Sequence, residues 1–194
     1  LAAGASALIG ILIGSIAGYH GGKTDDFLMR IAELFQVIPV FFFALVLVAL
    51  FGGSMLNIII VISVLSWPST ARLVRAEFLS LKEREFVEAA RALGASSLTI
   101  MFGEILPNSM APVIVNASLQ TASAILIESG LSFLGVGDPR YVSWGMMINN
   151  AQRFLRSAWW LALFPGLMIF WTVLAFNMVG DGLNDTLNPR LKEL

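Results

Sequence analysis

Charged residues are absent from four long stretches of this chain, at 1–22, 34–71, 105–127 and 157–180. The second stretch, 38 residues, would be roughly 57 Å long as a helix, about twice a hydrocarbon core of about 30 Å. It therefore has to fold back, and Phe51-Gly52-Gly53-Ser54 supplies the turn. The apolar character of the third stretch continues past Glu128 to Gly137. The pattern predicts five spans, near 1–19, 29–50, 55–71, 108–134 and 158–180, with the third continuing past Pro68 beyond the membrane. The expected fold class is an all-α integral membrane protein, one transmembrane domain over residues 1–194.

Composition agrees with that reading. The chain is 57% hydrophobic and 13% charged, with mean hydropathy +0.81, more apolar than a soluble domain of 194 residues requires. A net charge of −1 leaves no basic field for nucleic acid. With no cysteine, disulfides and thiolate metal sites are excluded. The chain starts at Leu1, without methionine and inside an apolar run, and reads as a fragment of a longer protein.

Basic residues set the orientation. Lys23 and Arg30, then Arg72, Arg75, Lys82, Arg84 and Arg91, then Arg190 and Lys192 fall on one side. The other side has a bare turn at 51–54 and a loop at 136–157 with Arg140, Arg153 and Arg156. Nine of the twelve basic residues against three put the long loop 72–107 and the C-terminus in the cytoplasm and Leu1 outside. A sixth helix upstream is then expected.

The loop at 72–107 has the most local information. Ser80-Leu81-Lys82-Glu83 fits a capping box. Behind it Phe86, Ala89, Ala90 and Leu93 fall at i, i+3, i+4 and i+7, an apolar helix face, with Arg84–Glu88 and Glu88–Arg91 at pairing distance. Gly94 ends this helix, Ser96 or Ser97 caps a second short one, and Pro107 limits its length. The element is a helix–glycine–helix projection whose small Ala89-Ala90 pair permits close approach of a partner backbone. The competing reading is a loop folded onto its own bundle.

Glu88-Ala89-Ala90, Gly94 and Leu106-Pro107 resemble the EAA loop of ABC importer permeases: E-A-A, three residues, G, nine residues, I, one residue, L-P. The Ile position falls on Glu104 here, with Ile105 one place later. The stretch from Arg84 to Ala95, Ser132-Phe133-Leu134-Gly135, Ser143-Trp144-Gly145, and the tail from Gly180-Asp181-Gly182-Leu183 to Asn188-Pro189-Arg190 are similar to the C-type subunit of the dipeptide/oligopeptide/nickel subfamily. The resemblance implies an inner-membrane permease subunit of a bacterial or archaeal importer, without a catalytic or metal site or a cofactor of its own. It implies ATP-Mg on separate cytoplasmic ATP-binding subunits, a second homologous permease, and a periplasmic or lipid-anchored solute-binding protein. The ATPase-coupling residues it assigns are Phe86, Glu88, Ala89, Ala90, Leu93 and Gly94.

Elsewhere the residues carry less. Gly18-Tyr19-His20-Gly21-Gly22-Lys23-Thr24 looks like a phosphate-binding loop but has Ala17 where glycine is needed, and reads as a flexible interfacial turn. Asp25, Asp26 and Arg30 read as solvated or helix-starting residues, Trp144, Trp159 and Trp160 as an interfacial belt, and Gly10 and Gly14 as a helix-packing pair. Glu128 is the one acid within a span, and it shares its helix with Asn116, Gln120 and Thr121. An ionisable group at membrane depth faces protein or water, so these four residues are the candidate translocation lining, with a structural hydrogen bond as the competing role for Glu128. A secondary transporter or channel subunit would explain the spans but not the loop. A membrane enzyme would need a catalytic constellation, which the sequence lacks.

Overall fold

A computed structural model describes residues 1–187. Arg190, Lys192 and the Asn188-Pro189-Arg190 part of the tail motif lie outside the described residues. Helices follow one another as α1 Ala2–His20, α2 Gly22–Val37, α3 Val40–Phe51, α4 Met55–Leu81, α5 Glu85–Ala92, the single turn α6 Ser97–Thr99, a π-helical segment Ile100–Ile105, α7 Leu106–Phe133, α8 Trp144–Ala151 and α9 Trp160–Leu187. Four helical stretches are long and apolar enough to cross a bilayer, and α2 with α3 makes a fifth if the bent pair is one span.

The α1–α4 contact is set by glycine spacing. Gly10, Gly14 and Gly18 lie four residues apart on one face of α1. A Cβ at Gly10 would sit 2.5 Å from the Thr70 Cβ, at Gly14 2.8 Å from the Val74 Cβ, and at Gly18 2.6 Å from the Phe78 Cβ. Only glycine lets the backbones come this close, the small-residue packing used in lipid where no hydrophobic force joins helices. The expectation for Gly10 and Gly14 holds and extends by one turn.

The expected span at 29–50 is broken. Its halves meet at 82° at Ile38-Pro39, where Ile38 is extended at φ −92° and ψ 129°. Pro39 has no N–H to continue the ladder and its ring pushes the preceding residue out of the α region. The supposed flexible turn at 18–24 contracts to a junction at Gly21 and Gly22, at φ +65° and +52°. The 51–54 turn forms as expected: Ser54 caps α4 through the Asn57 N–H at 3.1 Å, and Asn57 Nδ2 donates to the carbonyls of Phe51 at 2.8 Å and Gly52 at 3.0 Å.

Three expectations for 72–107 are corrected. Residues 72–81 belong to α4, so the loop is shorter than its charge suggested. Ser80 and Leu81 continue that helix and form no capping box; α5 starts at Glu85, with Arg84 at its N-cap and no side-chain cap. The second helix also does not stop before Pro107. It passes into α7 through the π-helical turn, in which the Leu106 N–H reaches the Met101 carbonyl. Widening the backbone there gives room to a ring that would otherwise meet the carbonyl four residues back.

Burial divides among three clusters, a small central one of Ala32, Trp67 and Ala71 and a larger one toward each end. Ala44 and Val48 of α3, Ile58, Val61, Ile62 and Leu65 of α4, and Leu131 of α7 form one cluster. Val74 and Phe78 of α4, Val87 of α5, Ile100, Met101 and Ile105 of the π-segment, and Val113 of α7 form the other. The second cluster roots the loop in the bundle.

Candidate coupling surface and translocation cavity

The α5 helix has two apolar faces. Val87 is fully buried and Ala90 packs beside it against the end cluster, whereas Phe86, Ala89 and Leu93 face outward. Leu93 is 88% exposed. The predicted single face is therefore split: Ala90 belongs to the anchor, and Phe86, Ala89 and Leu93 to a free knob. Glu88 is exposed beside them, and the Arg84–Glu88 and Glu88–Arg91 pairs are not among the ion pairs of the described residues. Gly94, at φ +78°, closes the helix: its N–H bonds Arg91 O at 3.0 Å and the Ala95 N–H bonds Ala90 O at 3.1 Å. This Schellman pattern satisfies two terminal carbonyls. Ser96 Oγ then caps the next turn by accepting from the Thr99 N–H at 3.2 Å. A short helix anchored on one face and capped at its end holds its outer side chains as a rigid unit.

The four polar residues of α7 separate into two pairs. Asn116 Nδ2 donates to Thr70 Oγ1 of α4 at 2.9 Å, and Gln120 Nε2 donates to the Ser66 carbonyl at 3.1 Å and to Ser69 Oγ at 2.5 Å. Both tie α7 to α4. Thr121 and Glu128 instead line an open cavity of about 650 Å³ between the ends of α1, α4, α7 and α8, with Ser129, Ser143, Trp144 and Met147. The Thr121 hydroxyl donates to the Ala117 carbonyl at 2.8 Å and Glu128 Oε1 accepts from Ser132 Oγ at 2.7 Å.

Two ion pairs escaped the sequence reading. Asp25, 7% exposed, takes both Nε and a terminal nitrogen of Arg75 in a forked contact from α2 to α4. It does start a helix, as expected of it, but it is not solvated. At the other end Asp138 accepts from the Met55 N–H at 2.9 Å, capping α4, and from the Arg140 side chain at 2.9 and 3.0 Å. The Arg140 guanidinium first, and the Met55 N–H second, hold the Asp138 carboxyl well below the usual carboxylate range. The sequence signal for this rim was the glycine density at 135–137: Gly135 at φ +82° ends α7, and a Cβ on Gly53 would sit 2.9 Å from the Gly137 carbonyl. Trp159 and Trp160 are 58% and 45% exposed, whereas Trp144, expected with them in an interfacial belt, lines the cavity and is 36% exposed.

Comparison with known proteins places this arrangement. The family profile described as binding-protein-dependent transport system inner membrane component matches residues 10–193. The chain is 42% identical to the dipeptide transport system permease protein DppC of Alkalihalophilus pseudofirmus, over 95% of this chain and 61% of that protein. It is also 42% identical to the glutathione transport system permease protein GsiD of Pectobacterium atrosepticum, over 99% of this chain and 66% of that protein. For the oligopeptide transport system permease protein OppC of Haemophilus influenzae the figures are 42%, 95% and 60%. The chain thus spans about three fifths to two thirds of the length of these relatives. An inward-facing structure of the MetNI methionine ABC transporter shares the fold, with TM-score 0.73 over 96% of this chain and 91% of that one at 18% identity.

Proposed function

The chain belongs to the family of binding-protein-dependent transport system inner membrane components, and from that premise we propose that it is the permease subunit of an ABC importer for peptides or a related small solute. In this reading it forms half of the translocation path, beside a second homologous permease, in a bacterial or archaeal plasma membrane with its C-terminus in the cytoplasm. ATP-Mg is bound and hydrolysed on separate subunits, a periplasmic or lipid-anchored binding protein delivers the solute, and lipid covers the outer helix faces. Nickel is the other cargo class compatible with the sequence resemblance; the named relatives above favour peptides.

The observation that supports coupling most directly is the split face of α5. Val87 fixes the helix to α4 and α7, and Phe86, Ala89 and Leu93 are left uncovered at the end of a short rigid lever. Glu88, Ala90 and Gly94 complete the assigned coupling residues, Ala90 as anchor and Gly94 as the terminating turn. An ATPase that moves this knob moves α4 with it, because Phe78 and Val87 share one packed cluster. On α7, Thr121 and Glu128 would face the solute, with Asn116 and Gln120 holding the helix in register against α4.

The test is reconstitution of the complete importer in proteoliposomes with ATP inside and a labelled dipeptide outside. Ala89→Arg adds bulk and charge to the knob without touching a span, and is expected to abolish uptake and ATPase pull-down while leaving the permease folded. Normal ATPase association in that variant overturns the docking role.

A further inference from the structure

The two long contacts of α4 differ in kind. Against α1 it packs on Gly10, Gly14 and Gly18, where no side chain of α1 can give way. Against α7 the ties are two amide side chains, set at the level of Pro68, the middle residue of α4. Hydrogen bonds between membrane helices are individually weak, so they can break and re-form as the helices lean, whereas a glycine contact cannot shift without a clash. Both helices are also interrupted close to this seam. Pro68 lacks the N–H that would bond the Val64 carbonyl, and Pro112 lies four residues before Asn116.

The two amides are not equivalent. Asn116 donates to Thr70 Oγ1, and Thr70 is 1% exposed with its Cβ packed on Gly10 of α1. That acceptor is fixed. Gln120, one turn further along α7, has one more rotatable bond, and its Nε2 reaches two acceptors at once, the Ser66 carbonyl and the rotatable Ser69 hydroxyl. It can lose either acceptor and keep the other.

We propose that the α4–α7 seam is a moving joint of the permease, with Asn116–Thr70 as its fulcrum and Gln120 as the positioning residue that keeps α7 attached while it leans. The inference rests on the permease reading and adds to it the place where the bundle gives. Thr121 and Glu128 lie on α7 beyond the fulcrum as seen from the π-helical turn, so a lean about Asn116 carries both. Ser118 and Leu119 of α7 rest on Gly180, so α9 follows α7 and not α4.

The chain has no cysteine, so pairs introduced across the seam can be bridged selectively by a short bis-thiosulfonate linker in an importer whose other subunits are cysteine-free. Uptake of a labelled dipeptide into proteoliposomes and pull-down of the ATPase are read on the same samples. Bridging Ser69→Cys with Gln120→Cys is expected to arrest uptake, to restore it on reduction, and to leave ATPase association intact. Bridging Thr70→Cys with Asn116→Cys, at the fulcrum, is expected to leave most of the uptake. Equal effects of the two bridges overturn the proposal, and so does a bridged Ser69–Gln120 pair that transports like the unbridged one. A separate variant guards against cysteine pairs that fail to assemble. Gln120→Met keeps the length of the side chain without its donor, and is expected to raise the ATP hydrolysed per peptide imported; an unchanged ratio overturns the proposal. Uptake by the unmodified importer tests the permease reading separately, so the two ideas fail by different measurements.

Discussion

The Asp25–Arg75 contact allows a prediction with a built-in asymmetry. Arg75's side chain is 35% exposed and Asp25's only 10%. Removing the acid in Asp25→Ala leaves a guanidinium that reaches water on a flexible stem, so the loss approaches that of a half-exposed pair, about 1–2 kcal/mol. Removing the base in Arg75→Ala leaves a carboxylate that water hardly reaches, with its forked donor gone. That is the breaking of a buried pair, about 3 kcal/mol, the low end for full burial because the site is open on one side. In Asp25→Ala/Arg75→Ala neither charge is stranded, so the double variant should cost less than the sum, with a coupling of about 1–3 kcal/mol. The assay is thermal unfolding of the purified importer followed by scanning fluorimetry, with ATP-driven uptake recorded on the same four preparations. The expected order of stability is unmodified, Asp25→Ala, then Arg75→Ala, with the double variant no worse than Arg75→Ala. Additive effects, or an acid deletion as damaging as the base deletion, would refute both the burial argument and the assignment of the pair as the tie between α2 and α4.

Other expectations follow from the packing, the rim and the charge distribution. Gly14→Val should separate α1 from α4, since even a Cβ there lies 2.8 Å from the Val74 Cβ; overpacking of this kind costs about 1–3 kcal/mol, measurable as a lowered unfolding temperature, whereas Gly4→Val, with nothing within 4 Å, should be silent. Asp138 has a folded-state pKa below its ordinary 3.8, so its contribution is present at neutral pH and is lost as pH falls from about 4 through the depressed value. Asp138→Asn should therefore be less stable than the unmodified importer at pH 7 and equal it in strong acid, which unfolding scans across pH will read. A cysteine at exposed Ser80 should react only with reagents reaching the cytoplasm, and one at Val142, 83% exposed, only from outside; cytoplasmic labelling of Val142 would reverse the orientation.

The parts of the fold visible in the sequence are those with a local physical signature. Four-residue glycine spacing announced the α1–α4 contact, and the Gly52-Gly53 turn had to exist because the uncharged run was too long for one crossing. Counting charges, however, hides a helix break: Pro39 was in plain view inside the run, yet it changes backbone direction without changing hydropathy. The capping box at Ser80 failed for a similar reason. A hydroxyl can cap only where a helix begins, and α4 had not ended. On α5 the 3.6-residue period admitted two apolar faces, and only packing reveals that Val87 points inward while Phe86 and Leu93 do not. Asp25 and Arg75 lie 50 positions apart, and no local pattern connects them. Glu128 was conspicuous as the lone acid of its span, but its separation from Asn116 and Gln120 required the neighbouring α4 surface.

The fastening of α4 has a mechanical consequence. Its N-terminal end is capped by Asp138, its C-terminal part is gripped by Asp25 through Arg75, and along its length three glycines of α1 lie in its grooves. A rod clamped at both ends and keyed along one side can tilt, but it cannot slide past its neighbour. While those fastenings hold, α1 and α4 travel as a single spar, and length changes have to be taken up where the backbone ladder is already interrupted. Among the described residues such interruptions include the Gly21-Gly22 junction, the 82° elbow at Ile38-Pro39 and the widened turn at Ile100–Ile105. The elbow lies before the short apolar helix α3 and the widened turn lies between the α5 knob and the polar helix α7, so in the proposed transport cycle a displacement of the knob would pass into α7 as rotation at that turn.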